Sequence, residues 1–236
     1  MVVTLKVCSI GKTFRKKPVL IDISFEANAS DIIGVIGESG CGKSTLLKIL
    51  VGYYKPDTGN VFLNNKNVSK DVMNLRKTVG YTSQENAFYE KLLVIENMNY
   101  YANLYRIPFA DKEKRINDLL EAVALSKQKH VLAENLSGGM KRRLDFAISL
   151  IHNPSVLVLD EPTTGLDPLL VSQFWKIVKD VASQNNKIVI VSSHILPEIE
   201  KHCTKVVIIK DGIVKAILDR KEIKGLEKKF RRLVMH

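Results

Sequence analysis

Apolar and polar positions change rhythm along the chain. Residues 4–10 and 20–26 alternate with a period of two, as half-buried strands do. Residues 31–36 are a short, mostly apolar run leading into Gly37, the pattern of a fully buried strand. Residues 43–50 read as helix, Pro56-Asp57-Thr58-Gly59 as a turn, and residues 60–64 as another strand. From about residue 85 to 151 the period changes: Leu92, Leu93, Ile95, Met98, Tyr101, Ala102 and Leu104 fall near a 3.6 period, which reads as amphipathic helix. Ile116, Leu119, Leu120, Val123 and Ala124 repeat the pattern, as do Leu144, Ala147, Ile148 and Ile151. Alternation then returns, with strands at 156–159, 187–191 and 205–209 and helices at 169–182 and near 197–202. These elements predict an α/β fold with a parallel sheet and an inserted helical block.

Composition narrows the class without deciding it. With 45% hydrophobic and 26% charged residues among 236, the chain is globular rather than disordered or fibrous. No apolar run approaches the roughly 18 residues of a membrane span, and the amino terminus lacks the apolar core of a secretory signal. Cys8, Cys41 and Cys203 form neither a C-x-x-C pair nor an even framework, so a reducing cytoplasm is the expected compartment. The net charge of +11 is uneven. Lys12, Arg15, Lys16 and Lys17 cluster near the start, and nine Lys or Arg stand against four Asp or Glu between Lys210 and Arg232. Such a surface suits an anionic membrane face, a nucleic acid or simple solubility. No nucleic-acid motif accompanies it, and no nucleic-acid partner is expected.

The apolar run at 31–36 leads into Gly37-Glu38-Ser39-Gly40-Cys41-Gly42-Lys43-Ser44, followed by Thr45. This is the phosphate-loop pattern in its required setting, after a strand and before a helix. Its glycines let successive amides wrap a polyphosphate, and the following helix adds the positive end of its dipole. Lys43 is expected to reach the β and γ phosphates and Ser44 to ligand magnesium. Cys41 reads as a small residue inside the loop. The strand at 156–159 runs into Asp160-Glu161-Pro162, where Asp160 would support the magnesium shell and Glu161 would polarise a water. Leu136-Ser137-Gly138-Gly139-Met140 heads a helix expected from near Lys141, a second oxyanion-binding terminus 94 residues beyond Lys43. His202-Cys203 has no partner at metal-ligand spacing.

Taken together, these motifs resemble the ATP-binding cassette (ABC) family over nearly the whole chain. The resemblance implies a P-loop NTPase, RecA-like core with a parallel sheet (residues 1–84 and 153–236), a small antiparallel β part, and a helical signature subdomain at 85–152. It also implies roles for single residues. Gln84 matches the Q-loop glutamine, with a magnesium or water contact. Ser137, Gly138 and Gly139 match the signature. Asp160 and Glu161 match Walker B, Asp167 the D-loop, and His194 a switch histidine contacting the γ-phosphate. Phe14 stands where the family places an adenine-stacking aromatic, although a core phenylalanine reads nearly as well. In this family ATP and Mg2+ lie between the Walker A loop of one cassette and the signature of a second, and the pair drives a transmembrane permease subunit.

Three departures refine that expectation. Met140 with Lys141-Arg142-Arg143 looks like cassettes of the exporter branch, the D-loop reads T-G-L-D rather than the more frequent S-A-L-D, and residues 226–233 resemble an ending of that branch. The expected protein is an ATPase of an exporter, peripheral on the cytoplasmic face of the cell membrane, with a homo- or heterodimeric partner cassette. A soluble cassette ATPase in assembly or repair, such as iron–sulfur assembly, is the alternative. The aromatics Phe88, Tyr89, Tyr100, Tyr101 and Tyr105 fit either a docking face for the permease or packing inside the helical block.

Overall fold

The computed structural model describes residues 3–69, 71–184 and 186–234. Its first part holds β1 (Thr4–Phe14), β2 (Lys17–Asn28), β3 (Ile32–Ile36), α1 (Lys43–Leu50), β4 (Thr58–Leu63) and β5 (Lys66–Asn67). Next come α2 (Val72–Thr78), β6 (Val79–Thr82), α3 (Val94–Leu104), α4 (Phe109–Ala122) and α5 (Gly138–Leu150). The last part holds β7 (Val156–Asp160), α6 (Pro168–Gln184), β8 (Ile188–Ser192), α7 (Leu196–His202), β9 (Lys205–Lys210), β10 (Ile213–Asp219) and α8 (Leu226–Val234).

Two sheets result. The antiparallel one has the order β2-β1-β4-β5, and the larger one the order β10-β9-β3-β8-β7-β6. In the larger sheet β9, β3, β8, β7 and β6 are parallel, and β10 pairs antiparallel at the edge. Because side chains alternate across a strand, each buried strand feeds two cores. Ile33, Val35, Val158, Ile190 and Val207 join α1 and the antiparallel sheet, while Ile36, Leu157, Leu159, Val191 and Ile208 join α5 to α8. Burying each such side chain contributes about 1.5–3 kcal/mol, which explains why these strands read as unbroken apolar runs.

Between β6 and β7 the chain builds the helical block around Met98, Ala102, Ile116, Leu120 and Leu144. Its anchor to the sheet is α5 against β6. A Cβ at Gly80 would lie 2.2 Å from the Ser149 carbonyl oxygen, so only glycine lets the helix come this close. The signature helix starts at Gly138, three residues earlier than the sequence suggested, because Ser137 caps it by accepting the Met140 N–H at 3.3 Å.

Candidate active site

Open α/β sheets bind ligands beyond the carboxyl ends of their parallel strands. Here the neighbouring strands β3, β8, β7 and β6 end, in that spatial order, at the phosphate loop, at His194, at Asp160-Glu161 and at Gln84. A cavity of about 360 Å3 opens there, lined by Gly37, Ser39, Gly40, Gly42, Lys43, Ser44, Thr45, Gln84, Glu161 and His194, with Val19 from β2. Residues far apart in sequence thus share one wall because the strands that carry them are adjacent.

Gly40 and Gly42 have φ of 79° and 106°, and a Cβ at Gly42 would sit 2.8 Å from the Val19 carbonyl oxygen, so the loop depends on glycine. Lys43 Nζ donates to the carbonyls of Gly37 and Glu38, both at 2.9 Å, which keeps the ammonium over its own loop. Cys41 is buried beneath, and that burial raises its thiol pKa. Glu38 is exposed at the rim.

Asp160 is buried, with Ser44 Oγ at 3.5 Å from its Oδ1. Ser192 donates its hydroxyl to the same oxygen, and that hydroxyl also accepts the Glu161 N–H at 3.0 Å. Glu161 sits at φ 48°, a left-handed backbone that costs a side-chain-bearing residue about 1–3 kcal/mol, held by this bond and by a second one to the Ser192 carbonyl at 3.2 Å. Its Oε1 lies 3.4 Å from His194 Nδ1. Burial, with the nearby Asp160 charge, pushes the Tyr81 hydroxyl to a pKa of about 12. Just beyond Asp160-Glu161, the Thr163 hydroxyl and the Trp175 indole N–H both donate to Glu198 Oε2 at 2.8 Å, which ties the segment before α6 to α6 and α7. The Trp175 ring stacks on His202, with centroids 4.6 Å apart.

Not every expected residue joins this cavity. Phe14 stands off it, its ring edge-on to Tyr54 at 5.1 Å and under the Lys12 ammonium. Ser137 and Gly138 are exposed, and Gly138 instead faces a separate hollow shared with Gln84, Arg142, Thr164 and Gly165. Gly139 is buried against Leu170. Asp167 is exposed and accepts the N–H groups of Leu169 and Leu170, both at 3.0 Å, at the start of α6. Val19 and Ser192 are site residues that sequence reasoning missed. Val19 carries no signal, whereas the serine ending the strand before His194 offers one.

A parallel sheet whose strand ends combine a glycine phosphate loop, an acidic pair and a histidine defines a P-loop nucleotide hydrolase. The ABC transporter family model matches residues 20–164. The linearmycin resistance ATP-binding protein LnrL of Bacillus subtilis is 32% identical over 209 residues, covering 89% of this chain and 67% of that protein. The methionine import ATP-binding protein MetN of Clostridioides difficile is 34% identical, covering 95% of this chain and 73% of its own length. The structure of cbiO1 from Clostridium perfringens, part of the ABC transporter complex cbiONQ, superposes with a TM-score of 0.87 at 27% identity, covering 97% and 93% of the two chains. The chain belongs to the ABC transporter family and is an ATP-hydrolysing domain of it. It spans only 25% of another relative, so the length of the family's proteins varies widely around this domain.

Proposed function

We propose that the chain is the ATP-binding and ATP-hydrolysing subunit of a membrane exporter, acting as one of two cassettes on a separate transmembrane permease. The observation that carries this reading is the single cavity where Lys43, Gln84, Glu161 and His194 meet. The loop amides, the positive end of α1 and Lys43 hold the triphosphate of ATP. Glu161 orients the attacking water and takes its proton, and His194 contacts the γ-phosphate from the adjacent strand end. Catalysis is positioning and charge stabilisation rather than covalent chemistry.

Magnesium fits this donor set. A buried carboxylate facing two hydroxyls offers the oxygen ligands a hard cation prefers, and among the described residues no cluster of three His, Cys, Asp or Glu competes for a metal. Ser44 and Asp160, with Gln84 beside them, would hold the ion, which neutralises charge on the phosphates.

The exposed Ser137 and Gly138 support a shared site. Their helix terminus does not line the cavity of the chain's own phosphate loop, and a two-fold pairing would set it against the loop of a second cassette. Residues 85–152 would then turn as a helical subdomain during closure. Among the described residues no helix is long and apolar enough to cross a membrane, so the permease comes from another chain or segment. Tyr89 and Tyr100 are 49% and 42% exposed, edge-on at 4.9 Å, and Leu104 is 62% exposed, an aromatic face suited to docking it at the cytoplasmic side. Export, rather than import, rests on Met140 and its basic neighbours and on the residue 226–233 ending, which folds as α8.

Purification from membranes tests the reading. A polytopic hydrophobic protein should co-purify, and magnesium-dependent phosphate release should be lost in Lys43→Ala. Recovery with soluble partners alone would favour a soluble assembly ATPase instead.

A further inference from the structure

The segment from Ser83 to Tyr89, which carries Gln84, is gripped along its backbone by side chains of the helical block. Arg142 Nη1 donates to the Ser83 carbonyl at 3.0 Å, and Asp145 Oδ1 accepts the Ala87 N–H at 2.9 Å. The Tyr101 hydroxyl donates to the Ala87 carbonyl. Asn97 holds Tyr89 from both sides, accepting its N–H at 2.8 Å and donating to its carbonyl at 2.9 Å. Arg142 and Asp145 stand three residues apart on α5, hence on one face, and α5 is the helix that Ser137 caps.

Asp145 is the unusual member. It is 2% exposed, and its Oδ2 is buried without a hydrogen-bond partner among the described residues. A carboxylate buried at such a place costs stability that the one hydrogen bond it accepts offsets only in part. We propose that Asp145 is a positioning residue: through the Ala87 amide it fastens the Gln84 segment to the signature helix, so that the two move as one piece. The distance along α5 from Ser137 to Asp145 is about 12 Å at 1.5 Å per residue, so a turn of the helix terminus is carried directly to the loop. The inference rests on the ATPase reading for its catalytic consequence, but not for the contact itself.

The test pairs hydrogen exchange with kinetics. In the nucleotide-free protein, Asp145→Ala should speed exchange of the Ala87 amide at least tenfold, while Asp145→Asn, which keeps the acceptor oxygen, should exchange no faster than wild type. Asp145→Ala should lower kcat about tenfold with the KM for ATP within twofold, because the residue does not line the nucleotide cavity, and Asp145→Asn should restore kcat. In a Gln84→Ala background the same substitution should add no further loss, since its route to the nucleotide is gone. Unchanged exchange at Ala87, or a full additive loss beside Gln84→Ala, overturns the proposal. Should Asp145→Ala not fold, Asp145→Ser, whose hydroxyl is too short to reach the loop in the same way, is the replacement and carries the same expectations. A wild-type protein without ATPase activity would refute the functional reading, and the exchange result would still decide the latch.

Discussion

Replacing Glu161 by glutamine separates binding from chemistry at this site. Glutamine has the same length and fits the same space, and the backbone at φ 48° is held by the Glu161 N–H and Ser192, neither of which the substitution touches. The lost elements are the charge 3.4 Å from His194 Nδ1 and the base for the attacking water. Removing a general base costs about 10²–10⁴ in rate, or about 3–5 kcal/mol of transition-state stabilisation. Single-turnover phosphate release should fall by that factor, while ATP affinity stays equal or improves because a negative charge beside the γ-phosphate is gone. With hydrolysis slowed, the closed pair should persist. Gel filtration with ATP should give a dimer for Glu161→Gln and mainly monomer for wild type. A turnover rate within threefold of wild type would remove Glu161 from the chemistry. A variant that stays monomeric at saturating ATP would refute the shared site.

Other substitutions probe the remaining parts. Adding Ser137→Arg to Glu161→Gln should dissolve the dimer, because the exposed α5 terminus could no longer accept a phosphate; gel filtration reads this directly. Lys43→Ala should weaken nucleotide binding and abolish phosphate release, since a charge-assisted contact to the phosphates is lost. A cysteine at Tyr89 should cross-link to a hydrophobic partner in membranes, and labelling of soluble proteins only would count against docking there. Burial raises Asp145 from an ordinary 3.8 to about 6, so the folded state binds the extra proton and this group's stabilising contribution falls as pH rises from about 4 through 6. Burial lowers His152 and His202 to about 4, which acts in the opposite direction. The difference between Asp145→Asn and wild type cancels those terms. It should grow from about 0.5 kcal/mol at pH 4 to about 3 kcal/mol in the variant's favour at pH 7.5, measured by urea unfolding. A difference that does not change with pH would contradict the assignment.

The parts legible in the sequence are those whose signal is local. The run of β3 into the phosphate loop and α1 appears nearly residue for residue, as do β7 before Asp160 and β8 before His194. Elements that depend on distant partners were hidden. β6 has four residues and contains Gly80, so it shows no alternation; its pairing with β7 makes it a strand. β10 is an edge strand without a buried residue, and α2 is a seven-residue helix burying only Leu75. The hairpin joining β1 to β2 turns through Arg15 and Lys16 at φ 46° and 67°, where a sequence reader looks for Asn-Gly. At the site, motif residues were readable and their supports were not. Ser192 meets Asp160 because β8 and β7 are neighbours, Val19 reaches the cavity from the other sheet, and no pattern in the chain announces that Asp145 meets Ala87.

The position of Trp175 gives the protein a built-in optical probe. It is the chain's single tryptophan, fully buried, stacked on His202 and hydrogen-bonded to the same Glu198 oxygen as Thr163. Indole emission responds to the loss of an N–H acceptor and to quenching by a protonated imidazole, and His202 stays neutral above a pKa of about 4. Between pH 6 and 8 the quenching term is therefore constant. A change in indole emission on adding nucleotide then reports movement of α6 against α7, and the timing of that movement can be followed without attaching a dye.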